Sequence, residues 1–146
     1  MRVGDLLKTK SQSVITIDAQ ADVRTAVRLL MEHGVGALPV LNADGALTGV
    51  VSERDIVRAV HVNLDYLRTA RVDRVMRHPA PICTPDESLQ EVMSRLTRER
   101  VRHLVVVAED RPVGVVSVGD LVKYRLEQLE TEAGILRDYV AARRAS

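Results

Sequence analysis

The sequence predicts an α+β fold: two pseudo-symmetric β-α-β-β-α repeats packed sheet to sheet, with a C-terminal helical tail. Three observations carry this. A nine-residue stretch occurs twice, as Gly49-Val50-Val51-Ser52-Glu53-Arg54-Asp55-Ile56-Val57 and as Gly114-Val115-Val116-Ser117-Val118-Gly119-Asp120-Leu121-Val122. Placing Val23 on Leu89 also places Val35 on Val101 and Pro39 on Val105 without a gap. Finally, each half of about 60 residues is too small to cover both faces of a sheet by itself, so the halves must cover each other. The expected boundaries are residues 1–67 for the first repeat, 68–125 for the second and 126–146 for the tail.

In chain order, Met1 to Leu7 is short and amphipathic, and Val3-Gly4-Asp5-Leu6-Leu7 is echoed by Val72-Asp73-Arg74-Val75-Met76. Ser13-Val14-Ile15-Thr16-Ile17 is expected as a strand. Asp18 is the expected N-cap of a helix that buries Val23, Ala26, Val27, Leu30 and Met31 and closes at Gly34. Ala37 to Leu41 and Leu47 to Val51 then form a hairpin around Asn42-Ala43-Asp44-Gly45. The first copy of the motif launches a helix through Val60 and as far as Leu67 at most, and Asp65 to Ala80 connects the halves.

The second half repeats this order. Pro81-Ile82-Cys83 is the expected first strand, and Thr84-Pro85-Asp86-Glu87 carries the residues of a helix start, with Thr84 as cap. Leu89, Val92, Met93 and Leu96 are expected to face the core. His103 to Val107 and Val113 to Val116 form the second hairpin around Glu109-Asp110-Arg111-Pro112. In the tail, Val122, Leu126, Leu129, Ala133, Leu136 and Val140 recur at alternating spacings of four and three, a seam for a partner helix, here a second subunit. The alternative is a helix folded back on its own domain. Gly134 is a candidate kink in that seam.

Composition narrows the function. The chain has 146 residues and a net charge of +1, without the concentrated basic surface of a nucleic-acid binder. No apolar run approaches the ~20 residues of a membrane span, and the expected location is the cytoplasm. One cysteine, Cys83, excludes an internal disulfide and a multi-cysteine zinc site. His33, His61, His78 and His103 have no metal-binding spacing, and neither a Walker loop nor a dinucleotide glycine fingerprint is present. An enzyme is not expected.

The motif itself admits two readings. Ser-x-x-Asp before an apolar helical run is a capping box, in which each side chain satisfies a backbone N–H of the first turn. A strand feeding a helix N-terminus also presents free N–H groups and a positive dipole end that suit phosphate. A carboxylate at that place accepts hydrogen bonds from a ribose diol.

The order Thr16-Ile17, Val35-Gly36-Ala37-Leu38-Pro39-Val40 and Gly49-Val50-Val51-Ser52-x-x-Asp55, repeated once, resembles a tandem pair of CBS domains (the cystathionine β-synthase domain, or Bateman module) over residues 1–125. The chain ending is similar to that of short stand-alone bacterial members. The resemblance implies a homodimer of two such pairs, with clefts between the repeats that bind AMP, ADP or ATP, and in some members NAD or S-adenosylmethionine. It places ribose contacts on Asp55 and Asp120, and ribose or phosphate contacts on Ser52 and Ser117. One cleft would use Ser52, Arg54 and Asp55 with Ile82, Val101, Arg102 and His103. The other would use Ser117 and Asp120 with Ile15, Ile17, Val35, Gly36 and Ala37. Gly119 in place of Arg54 implies a second cleft with little positive charge and more room. The expected function is an adenine-nucleotide sensor acting on an effector protein that the sequence does not name; the alternative is a structural dimerisation module with vestigial clefts.

Overall fold

The computed structural model describes residues 1–10 and 13–145. The elements run α1 (Val3–Thr9), β1 (Ile17–Asp18), α2 (Val23–His33), β2 (Ala37–Leu41), β3 (Leu47–Ser52) and α3 (Glu53–Val62). Two 3-10 turns, Tyr66–Arg68 and Val72–Arg74, lead into β4 (Ile82–Cys83), α4 (Leu89–Glu99), β5 (His103–Ala108), β6 (Arg111–Ser117) and α5 (Val118–Ala145). Each repeat holds one three-stranded sheet, β1-β2-β3 and β4-β5-β6, with its first pair parallel and its second antiparallel. The expected architecture of two repeats packed sheet to sheet is the one observed.

Three apolar clusters hold it together. The first repeat buries Ile17, Ala26, Leu30, Leu38, Val40 and Val51. The second buries Cys83, Leu89, Val92, Leu96, Leu104, Val106 and Val116. Ala37, Val50 and Val105 join the two sheets, with Leu47, Ala80 and Val107 packed against them. Because successive strand residues point to opposite faces, Leu38 and Val40 serve the first repeat's own core while Ala37 turns to the other repeat.

The echo between the N-terminus and the connector has a structural meaning. Val3 and Leu6 of α1 are buried in the core of the second repeat, whereas Val72 is buried in that of the first. The Val3 and Gly4 N–H groups donate to the Glu87 and Pro85 carbonyls, both at 2.9 Å. In the mirror position the Val72 and Asp73 N–H groups donate to the Ala21 and Ala19 carbonyls at 2.8 and 3.2 Å. Each half thus lends a short segment to the other, and packing crosses the boundary drawn at residues 67 and 68.

This exchange corrects two expected helix starts. Asp18 does not cap α2; Asp22 does, accepting from the Thr25 N–H at 2.8 Å. Thr84 does not cap α4; Ser88 does, accepting from the Glu91 N–H at 3.1 Å. In both places the residues between the strand and the helix are occupied in receiving the exchanged segment, so the helix begins four residues later. The Thr84 N–H bond to Glu87 Oε2, 2.6 Å, belongs to a turn instead.

Other differences are local. Ser13 to Thr16 precede the strand, since pairing with β2 begins at Ile17. Helix α3 stops at Val62. Met31 is 79% exposed, and Val27 and Met93 lie at the edge of their helices' buried faces, because Val23, Ala26 and Leu30, or Leu89, Val92 and Leu96, already cover each sheet. The second hairpin turns on Glu109-Asp110 alone, both at positive φ, so Arg111 and Pro112 belong to β6, an edge strand that tolerates proline. Helix α5 is continuous through Gly134.

Two glycines make room for the exchanged segments. A Cβ on Gly49 would lie 2.6 Å from the Arg77 carbonyl oxygen and from Met76 Sδ, while one on Gly114 would lie 2.6 Å from Leu7 Cδ2. The Arg77 backbone is pinned by paired bonds with Val50 of 2.8 and 3.0 Å, whereas Leu7 has rotamers to spare. Gly49→Ala should therefore cost about 1–3 kcal/mol in urea denaturation, as overpacking does, and Gly114→Ala distinctly less. Equal costs would mean that the Arg77 backbone yields as readily as a side chain.

Candidate functional site

Both copies of the motif lie where an antiparallel strand pair ends and a helix begins. Ser52 pairs with Ala37, and Ser117 pairs with His103. The next N–H in each copy, of Glu53 or Val118, donates across to the Gly36 or Arg102 carbonyl at 3.1 or 3.0 Å. That bond fixes the helix N-terminus against the neighbouring strand and leaves the Ser and Asp side chains at a cleft between the repeats.

The capping box is fully made in the first copy and matched in the second. The Ser52 N–H and Oγ–H both donate to Asp55 Oδ2 at 2.9 Å, and the Asp55 N–H donates to Ser52 Oγ at 3.2 Å. The Ser117 N–H donates to Asp120 Oδ2 at 2.9 Å, and the Asp120 N–H donates to Ser117 Oγ at 3.0 Å. Capping thus occupies one oxygen of each carboxylate and leaves Oδ1 for other work; Asp55 Oδ1 stands 3.7 Å from the Arg58 guanidinium.

The first cleft, of about 840 Å³, brings together Ser52, Arg54, Asp55, Val101, Arg102 and His103. It gathers further cations that sequence reasoning did not include, Arg58 and Arg77, and it includes Arg100. Arg58 follows Asp55 at i+3 on one helix face, a spacing that signals it; Arg77 arrives from the connector and carries no local signal. Arg100 caps α4 at φ 55°, the place that Gly34 (φ 62°) takes in the first repeat. A left-handed non-glycine residue costs roughly 1 kcal/mol, which the turn into β5 offsets. Ile82 is not among the residues that line this cleft, although it pairs with Val105 of the inter-sheet layer; it is 45% exposed, and Pro81 lines the cleft instead.

The second cleft, of about 540 Å³, brings together Ile15, Val35, Gly36, Ala37, Ser117 and Asp120. Ile17 is not among its walls, since it pairs with Val40 and is buried in the first repeat's core. The expectation of more room and little positive charge is corrected here. The cleft is the smaller of the two, and Lys10 reaches in from the N-terminal segment, its Nζ donating to Asp120 Oδ2 at 2.8 Å and to the Val115 carbonyl at 2.9 Å. Lys10 was invisible to motif reasoning because its partner is 110 residues away.

Arg102 and His103 line both clefts, not only the first. His103 packs over Gly36, where a Cβ would come within 3.1 Å of Nε2. Burial holds the His103 imidazole below its ordinary pKa, opposed by the Asp120 and Glu53 carboxylates, so the imidazole is neutral at neutral pH and Arg102 is the charged group of the shared wall. For Asp120, burial raises the pKa, but hydrogen bonds from Lys10 and Ser117 and the Lys10 charge together hold it below its ordinary value of 3.8. Cys83 is buried and its thiol is pushed up to about 12 by burial, which makes it a core residue and a poor nucleophile. Among the described residues there is no metal-capable group of three His, Cys, Asp or Glu side chains, and no helix is long and apolar enough to cross a membrane.

The CBS-domain family model matches residues 3–62 and 72–127, once for each repeat and its motif. The chain belongs to the CBS-domain family. A crystal structure of a CBS-domain containing protein from Agrobacterium tumefaciens superimposes with a TM-score of 0.79 at 32% identity, covering 85% of this chain and 92% of that one. A CBS domain protein from Pyrobaculum aerophilum, solved in complex with AMP, superimposes with a TM-score of 0.78 at 27% identity over 91% of this chain and 99% of that one. An uncharacterized protein of Methanocaldococcus jannaschii is 30% identical over 112 residues, which is 77% of this CBS pair but only 39% of that protein.

The Lys10–Asp120 pair gives a pH-dependent test. A carboxyl with a depressed folded pKa contributes stability that is present above its unfolded value and lost as pH falls through the folded one. Lys10→Ala should move the Asp120 titration upward, toward or above 3.8, in an NMR acid titration. It should also lower stability at neutral pH, by a margin that shrinks in acid. An unmoved Asp120 titration would show that the Ser117 bonds alone hold it.

Proposed function

We propose that this CBS pair is a regulatory adenine-nucleotide-binding module whose two inter-repeat clefts report ligand occupancy to a separate effector protein. The observation that carries the reading is the repeated strand-to-helix junction, which sets Ser and Asp of either copy at a cleft walled by the other repeat. In the first cleft, Asp55 Oδ1 accepts the ribose hydroxyls while Oδ2 keeps its cap, so binding does not require the helix to open. Ser52 and the Arg54 N–H meet ribose or phosphate, the Glu53 and Asp55 N–H groups being taken by the Gly36 carbonyl and Ser52 Oγ. Val101 offers apolar surface to the adenine. In the second cleft Asp120 and Ser117 take the same roles against Ile15, Val35, Gly36 and Ala37, and the ribose must share Asp120 with the Lys10 ammonium. AMP in the P. aerophilum relative supports an adenine ligand; ADP, ATP and NAD are further candidates of the same chemistry. The chain acts as a homodimer in this reading, through the seam on α5.

One observation favours a second reading, a dimerisation scaffold with vestigial clefts: the first capping box is complete without any ligand. The two readings part in binding experiments. A ligand at 100 times its Kd should add about 2.7 kcal/mol of stability, so a panel of AMP, ADP, ATP, NAD and S-adenosylmethionine should raise Tm for at least one member. Asp55→Asn keeps a cap acceptor but removes the charge that holds a diol, and it should delete one binding event in calorimetric titration; Asp120→Asn should delete the other. The matching alanine variants lose the cap as well, at about 1 kcal/mol each. A flat panel together with unchanged asparagine variants supports the scaffold.

The arginines predict unequal clefts. Arg54, Arg58, Arg77 and Arg100 face the first cleft alone, whereas Lys10 is paired with Asp120 in the second. Guanidinium groups hold phosphate through charge-assisted, often bidentate bonds. Arg54→Ala with Arg100→Ala should weaken phosphorylated nucleotides at one site class and flatten its salt dependence, leaving the other site class unchanged. Equal weakening at both sites would contradict the asymmetry.

A further inference from the structure

Helix α5 continues far beyond the body of the protein. At 1.5 Å per residue its 28 residues span about 42 Å, and only Leu121 of them is buried. Val122, Leu126, Leu129, Leu136 and Val140 are all exposed, as is Ala133 between them. Their spacing of four and three sets Val122, Leu129 and Leu136 at d positions and Leu126, Ala133 and Val140 at a positions of a heptad. Gly134 falls beside this seam, with open space around it.

The flanking charges decide which partner helix fits. The e positions are Lys123, Glu130 and Arg137; the g positions are Arg125, Glu132 and Tyr139. In a parallel pair of identical helices each g residue meets the next e residue of its partner. Arg125 then faces the partner's Glu130, and Glu132 faces the partner's Arg137, so both contacts join opposite charges. An antiparallel pair stacks a layers on d layers about residue 131 and brings e to e and g to g. Lys123 then faces the partner's Arg137, Glu130 the partner's Glu130, and Glu132 the partner's Glu132. All three of these are repulsive.

We propose that α5 pairs with α5 of a second copy as a parallel, in-register coiled coil, which sets the second repeats of the two copies side by side. It rests on the dimer reading above and adds to it the surface and the orientation. Three heptads are short for an isolated coiled coil. The seam does not stand alone, since Val122 also lines a shallow apolar groove with Met93 and Val118 where α4 meets α5 on the body. Parallel tails bring that groove against the same groove of the partner, which extends the contact onto the folded domain.

The test uses the full chain. Light scattering should give the mass of a dimer. Leu136→Cys should form a disulfide-linked dimer on mild oxidation, because an in-register d layer brings identical residues to the ~5.5–6 Å Cα separation of a disulfide. An antiparallel pair would hold the two Leu136 positions about 15 Å apart along the axis. Native Cys83 is buried and stays out of the reaction. Arg125→Glu with Arg137→Glu sets like charges across every parallel e–g contact and should raise the dimer Kd at least tenfold at low salt; in an antiparallel pair it would remove the Lys123–Arg137 repulsion and tighten the dimer. A dimer that does not cross-link at Leu136, or that tightens on this charge change, overturns the parallel pairing and leaves the dimer reading standing. A monomer at every concentration overturns both, and leaves the nucleotide titrations to stand on their own.

Discussion

Each three-stranded sheet has one face that its own helices do not cover, and burying those two faces on each other is the constraint on which the rest of this protein depends. Ala37 and Val50 of one repeat meet Val105 of the other in that layer. A single repeat would leave this surface in water, and a half of about 60 residues has little apolar burial to lose. The exchanged segments strengthen the same bond between halves, since Val3 and Val72 complete cores that belong to the opposite repeat. Neither half is an independent unit in packing, although each is one in sequence.

The clefts follow from that arrangement. Where two sheets are stacked face to face, the strand ends flare apart, and the turns that leave them frame a space between the repeats. Both motif copies sit at such turns, so each cleft takes its Ser and Asp from one repeat and its facing wall from the other. That wall carries Arg100, Arg102 and His103 beside Val101 in the first cleft and is mainly apolar in the second. The two clefts share the wall made by Gly36, Arg102 and His103. The Arg102 guanidinium on that wall borders both clefts. Lys10 and Asp120 add a second link, between a cleft and the N-terminal segment.

In the motif, capping does not use up the carboxylate. One carboxylate oxygen of Asp55 closes the capping box, and the other faces the cleft beside Arg58. Stability of the helix start and preorganisation of the site then come from the same residue. On the proposed reading, part of the site would then require no rearrangement before a ligand arrives, which lowers the entropic cost of binding.

The sequence by itself determined the repeat, the order of its elements, the fold class and the two Ser-x-x-Asp junctions, because these depend on local periodicity and on contacts within a dozen or so residues. It also showed the tail seam, whose spacing is a property of one helix. Tertiary structure decided what depends on distant partners. Asp22 and Ser88, and not Asp18 and Thr84, became the caps because Ala19, Ala21, Pro85 and Glu87 were already engaged by segments from the other half. Met31 and Val27 stayed outside because a helix needs only three or four residues to cover a three-stranded sheet. Lys10 and Arg77 entered the clefts from segments with no motif of their own, and Ile17 left them, since its pairing with Val40 aims it into the first repeat's own core. Periodicity is written in the chain; which charge ends up beside which carboxylate is set only when the two halves close on each other.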